Sequence, residues 1–229
     1  VFAILASILL FKSGPIEKYS LTYNWRPFNL AESKESIYGR ISAIENEYEY
    51  DFYENSNKVY STVSSAPNEE ITHIPLLLLP DGRNVLIIGG GGNNIYEVLK
   101  HSIEKLIYIE PNSVFLEFLQ KYSNEKTKNA LNSSKLKIIR TDGRFFVKRT
   151  VEKFNCVIVD SPPPVTGLAN RYFTYEFFSE VKDILTPGGI LIFPVLSSEN
   201  YMSSELKLLN ASIYSTAGKV FEYCYIVPA

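Results

Sequence analysis

The chain has 229 residues, 45% hydrophobic and 21% charged, which is the balance of a globular protein with room for one α/β domain and a small appendage. A formal net charge of −2 excludes a broad nucleic-acid-binding face. The two cysteines, Cys156 and Cys224, form no CxxC or Cys/His cluster, which argues against a zinc site and for a reducing compartment.

Val1 to Phe11 is an unbroken run of apolar and small residues before Lys12. It is shorter than the roughly 18 residues that span a bilayer. It reads as the end of a transmembrane helix, with a signal-peptide core or a buried element as alternatives. Residues 12–34 are polar and aromatic and read as a linker. A strand-rich unit is expected over 35–66, beginning with Glu35-Ser36-Ile37-Tyr38-Gly39-Arg40-Ile41. Within it Tyr48, Tyr50 and Phe52 alternate with acids, Glu54-Asn55-Ser56-Asn57 is turn chemistry, and Val59–Val63 is a return strand, together a β-hairpin.

A nucleoside-binding domain is expected over 67–229. Glu69–Leu79 predicts a helix closed by Pro80-Asp81-Gly82. Strands are then predicted at 84–88, 105–110, 136–140, 154–159, 189–194 and 219–226. Helices fall between them at about 94–102, 112–122, 143–150, 174–185 and 203–216. This alternation predicts an α/β fold, a parallel sheet covered on both faces.

Ligands of such sheets sit at the carboxyl ends of the strands. The first strand runs into Gly89-Gly90-Gly91-Gly92, and Asn93-Asn94 open a helix, which makes a pocket for a nucleotide or nucleoside. Glu110 ends the second strand, 19 residues past Gly91, where a carboxylate holds a ribose diol. Asp142-Gly143 follow the third strand, and Asp142 suits either an adenine amine or a helix N-cap. Asp160 ends the fourth, facing a sulfonium or other cation, or simply beginning a turn before Pro162. His73 reads as structural, His101 as a surface residue at a helix end, and Lys148-Arg149 as a solvated face.

These residues, with Val85–Gly91, Ile109-Glu110, Thr141–Arg144 and Val157–Ser161 in order, resemble the spermidine synthase (polyamine aminopropyltransferase) family over about 35–227. Asn170–Phe178 and Ser197–Tyr201 resemble its bacterial membrane-fused branch. The resemblance implies a small N-terminal β unit on a seven-stranded, Rossmann-like sheet of class I methyltransferase type, here lacking the last hairpin strand. It implies aminopropyl transfer from decarboxylated S-adenosylmethionine to a small amine such as putrescine. It further implies no metal, a homodimer, and a cytoplasmic domain anchored through the N-terminal segment.

Carried over residue by residue, Gly89, Gly90, Gly91, Glu110, Asp142, Gly143 and Asp160 hold the nucleoside. The diamine half departs from the pattern. Gly92 stands where the family has an acid, Pro163 stands at the presumed catalytic acid, and Pro67 and Glu69 replace a Tyr-x-Glu. The acid that often ends the fifth strand is replaced around Pro194–Leu196. Asp160 is then the catalytic candidate, with Glu69 and Tyr172 as substrate residues. A methyltransferase-type enzyme with another acceptor, or a catalytically silent membrane-tethered binding domain, is the alternative.

Overall fold

The computed structural model describes residues 13–63, 66–80, 83–197 and 202–227. They fall into two compact units that divide at Val63. The apolar run at 1–11 lies outside the described residues. Among the described residues no helix is long and apolar enough to cross a membrane.

The first unit holds α1 (Ser13–Asn24) and an antiparallel sheet in the order β1 (Asn29–Ser36), β2 (Gly39–Asn46), β3 (Glu49–Glu54) and β4 (Asn57–Ser61). Two tight turns set its register. Ser36 Oγ donates to the Gly39 carbonyl (2.7 Å) across the first, and Gly39 takes φ +139°. Asn55 and Ser56, both at positive φ, make the second, the geometry whose twist matches paired strands. Ile41, Ala43, Ile44 and Phe52 form the buried face. Three expectations are corrected. The stretch 12–34 is not a linker but contains α1 and most of β1. Residues 35–41 straddle a turn rather than begin a strand. The unit is a four-stranded meander, and Tyr48 sits exposed in the β2–β3 turn.

The second unit runs α2 (Ala66–Leu77), β5 (Arg83–Gly89), α3 (Gly92–Leu99), β6 (Ile103–Ile109), α4 (Ser113–Tyr122), α5 (Glu125–Leu131), β7 (Leu136–Ile139), α6 (Gly143–Arg149), β8 (Phe154–Asp160), α7 (Gly167–Asn170), α8 (Tyr175–Ile184), β9 (Leu185–Ile192) and α9 (Ser204–Gly218). The sheet is parallel, in the order β7-β6-β5-β8-β9. After β5 the chain builds outward through β6 and β7, then crosses to β8 and β9 on the other side. The carboxyl ends of β5 and β8 therefore flank the point where strand order reverses, the crevice that such sheets use for ligands.

Near-continuous apolar runs explain why these strands are central. Val85, Leu86, Ile87, Leu106, Ile107, Val157 and Ile158 are fully buried, as strands covered on both faces require. One face packs Leu86, Ile88, Ile107 and Val157 against Phe177, Phe178, Val181 and Ile213, and Phe178 stacks on Phe193 at 5.5 Å. Each such side chain contributes about 1.5–3 kcal/mol of burial. Cys156 lies within this interior, where burial pushes its thiol up to about 12 and makes it inert.

Among the described residues the sheet has five strands, not the seven that the resemblance implies. The strand expected at 219–226 does not form. Val220 and Phe221 pack on the core instead, and backbone carbonyls of this stretch accept from side chains: Lys182 Nζ to Val220 (2.6 Å) and Tyr214 Oη to Cys224 (3.3 Å). Helices α5 and α7 were not expected from the sequence pattern.

His101 is corrected from a surface residue to part of the α2–α3 contact. Its Nε2 lies 2.6 Å from His73 Nδ1, and His73 Nε2 lies 2.9 Å from the buried Glu97 carboxylate, which Lys100 also meets. One proton fits between the two rings, so a second charge on the pair breaks that bond. Burial, then the charges of His73 and Arg83, hold His101 below its ordinary value of 6.5. The unfolded chain therefore takes up this proton first as pH falls. The stability the contact contributes is complete above the unfolded value and is lost as pH drops through the folded one. The urea midpoint should fall on acidification below about pH 6.5, and His101→Gln should flatten that fall. An equal fall in the variant would remove His101 as the cause.

Candidate functional site

The glycine loop is forced by the strand end beside it. Gly89 and Gly90 take φ +75° and +69°, a region that side chains resist. A Cβ on Gly89 would stand 2.6 Å from the Asp160 carbonyl oxygen. A Cβ on Gly90 would stand 2.5 Å from Asp160 Oδ2 and 2.7 Å from Asn94 Nδ2. The chain can thus turn tightly over the end of β8 only without side chains. Gly91 is the N-cap of α3 in extended conformation, so α3 begins with its backbone N–H groups behind a bare residue.

Asp160 ends β8 against this loop. Asn94 Nδ2 donates to its Oδ2 at 2.7 Å, and Asn94 Oδ1 accepts from Asn68 Nδ2 at 3.0 Å. Burial raises the Asp160 carboxyl above the usual carboxylate range, and the Asn94 bond opposes that rise. After Asp160 the chain passes Pro162-Pro163-Pro164, where the Pro163 carbonyl accepts from Val165 N at 2.7 Å.

A second group forms at the ends of β6 and β7. Glu110 Oε1 accepts from the Asn112 backbone at 2.7 Å, and Asn112 in turn caps α4. Asp142 caps α6 by accepting from Phe145 N at 2.9 Å, and the same oxygen pairs with Arg171. The N-cap reading of Asp142 is therefore realised, and Arg171 is a partner that the sequence reading missed. Gly143 is closely packed, since a Cβ there would stand 2.4 Å from Ile88 Cγ2 and 3.0 Å from the Tyr172 hydroxyl. Burial raises the Tyr172 hydroxyl above its ordinary value, the charges of Asp142 and Glu110 push it the same way, and the Arg171 charge and the Gly143 N–H oppose them. Tyr172, Asp142, Gly143 and Glu110 are thus one neighbourhood, joined to the glycine loop through Ile88.

The structure does not carry Glu69 to either group. It is exposed on α2, and its charge acts on Lys100 beyond the far end of α3. Nor is Lys148 merely solvated. With Arg144 it pairs with Glu180 and ties α6 to α8, while Arg149 lies over the Phe145 ring. Asn68 and Asn94 were also missed as site residues. The available signal was Asn94 itself, a polar residue beside Ile95 in a turn that is entirely buried. Among the described residues no group of three or more His, Cys, Asp or Glu is placed to hold a metal ion.

This arrangement offers glycines for close approach, two carboxylates and a tyrosine on one side, and a desolvated carboxylate on the other. It suits a nucleoside carrying a positive centre.

Comparison with known proteins gives the family. A spermidine synthase solved in complex with the transition-state analogue AdoDATO superposes with a TM-score of 0.74 at 27% identity, over 85% of this chain and 66% of that one. The spermidine synthase of Thermotoga maritima gives 0.72 at 26%, over 85% and 65%. A polyamine aminopropyltransferase of Methanocaldococcus jannaschii is 39% identical over 127 residues, 55% of this chain and 43% of that protein. A spermine synthase of Saccharomyces cerevisiae is 35% identical over 192 residues, 74% of this chain and 62% of that protein. The chain thus spans between about two fifths and two thirds of the length of these relatives. The spermine/spermidine synthase domain matches residues 65–228, and on that match the chain belongs to the spermine/spermidine synthase family.

Proposed function

We propose that the second unit binds decarboxylated S-adenosylmethionine and transfers its aminopropyl group to a di- or polyamine, a step of polyamine biosynthesis. The observation that carries this reading is the set of acids at three strand ends, Glu110, Asp142 and Asp160, around a glycine loop in a spermine/spermidine synthase domain. Gly89–Gly91 let the ligand approach the backbone. Glu110 accepts from the ribose hydroxyls, and Asp142 with Gly143 borders the base. Tyr172 forms a wall. Decarboxylated S-adenosylmethionine supplies a carbon made electrophilic by its sulfonium. The acceptor nitrogen bonds to that carbon, the carbon–sulfur bond breaks to release neutral methylthioadenosine, and the amine proton passes to a base. Asp160 is that base, because the residue three positions on is Pro163 and burial already raises the Asp160 proton affinity.

Pro163 also favours a second reading. An ammonium buried without a carboxylate partner costs several kcal/mol, so a depleted diamine half suits another acceptor or a binding role without turnover. The apolar run 1–11 and the resemblance to the membrane-fused branch support an N-terminal anchor with the domain on the cytoplasmic side. The same resemblance supports a homodimer, which light scattering would refute with the mass of one chain.

The test is mass-spectrometric. The full chain is incubated with decarboxylated S-adenosylmethionine and a panel of di- and polyamines. Methylthioadenosine with an aminopropylated amine is expected. Nucleoside binding without product would overturn aminopropyl transfer and leave the second reading.

A further inference from the structure

Asn94 is fully buried in the first turn of α3, between the glycine loop and Ile95. A buried amide must satisfy both its ends, and here each has one partner on a different element. Its oxygen accepts from Asn68 on α2 (3.0 Å), which forces its NH2 toward Asp160 Oδ2 at the end of β8 (2.7 Å). Gly90 leaves room for this bond, since a Cβ there would collide with both of its atoms. Three segments distant in sequence are therefore joined by one chain of hydrogen bonds that ends on an Asp160 oxygen.

The contact on Asp160 is neutral rather than cationic. Burial raises the Asp160 carboxyl, and the Asn94 amide is the influence that lowers it. The Tyr108 hydroxyl on β6 is directed at the Gly90 carbonyl (3.4 Å), and the charges of Glu110 and Asp142 act on Tyr172. We propose that Asn94, anchored by Asn68, is a positioning residue that fixes one oxygen of Asp160 beside the glycine loop, where that carboxylate receives the cationic centre of the ligand. The inference rests on the role given to Asp160 above. It makes Asn94 a determinant of discrimination between a cationic nucleoside and its neutral thioether product.

Two readouts on the full chain test it. In Asn94→Leu the titration midpoint of Asp160, followed by carboxyl carbon NMR and assigned with Asp160→Asn, should rise by about one pH unit or more. Near neutral pH, affinity for decarboxylated S-adenosylmethionine should fall about tenfold while that for methylthioadenosine stays within about twofold. Asn68→Ala leaves Asn94 in place but unanchored and should move both readouts the same way by less, and it carries the test if Asn94→Leu does not fold. An unmoved Asp160 midpoint in the folded variant, or equal loss for both ligands, would overturn the inference. If the wild type binds neither nucleoside, the proposed function fails, and the Asp160 titration still decides the role of Asn94.

Discussion

Glu110→Ala should weaken methylthioadenosine binding about a hundredfold or more, because a carboxylate holding two ribose hydroxyls makes two charge-assisted hydrogen bonds of about 1.5–3 kcal/mol each. The expectation needs a control, since Glu110 also has a structural task. Its Oε1 accepts from the Asn112 backbone, and Asn112 caps α4 through Val114 N and Phe115 N. Glu110→Gln keeps an acceptor for that N–H and removes only the charge. It should leave the urea midpoint in place and still cost about tenfold in affinity by calorimetry. Affinity unchanged in both variants would remove the ribose assignment.

Asp160→Asn should lower turnover by about 10²–10⁴-fold, the usual worth of a positioned general base, with methylthioadenosine affinity little changed. Burial raises the Asp160 carboxyl, so its folded value lies above its unfolded one. Ionising Asp160 in the folded state therefore costs stability, and that loss sets in as pH rises through its range. The amide that replaces the carboxyl in Asp160→Asn carries no charge, so the variant should be at least as stable as the wild type at neutral pH. Equal or higher stability together with a collapse in turnover separates a functional carboxylate from a structural one. A variant that turns over normally would hand the proton to another group.

What was legible in the sequence is what one or two local rules determine. The strand at 84–88, the glycines and the helix after them were readable because strand burial, positive φ and helix initiation all leave marks within ten residues. Asp142 was readable as a cap for the same reason. Asn68, Asn94 and Arg171 were not, because each acts on a partner side chain that lies at least 26 residues away in sequence. The segment 219–226 shows the opposite failure. Lys219-Val220-Phe221-Glu222-Tyr223-Cys224-Tyr225-Ile226 has strand composition, but composition supplies no ladder partner, and Tyr225 is left 83% exposed. The stretch 12–34 concealed α1 and β1 because its aromatic residues have no clean period. Glu69 was placed at the site by the resemblance alone, whereas the helix turns Asn68 toward Asn94 and leaves Glu69 exposed.

The central pairing of β5 with β8 also has a consequence for how the chain is made. Asn84 N donates to Asn155 Oδ1 across 71 residues, and Gly89 pairs with Asp160 in the same ladder. Parallel pairings of such separation pay their loop-closure entropy before any contact rewards it, and they form late. On a ribosome the glycine loop therefore emerges without the strand that shapes it. It can take its final turn only after residue 160 has left the exit tunnel, so the ligand crevice is among the last parts of the domain to mature.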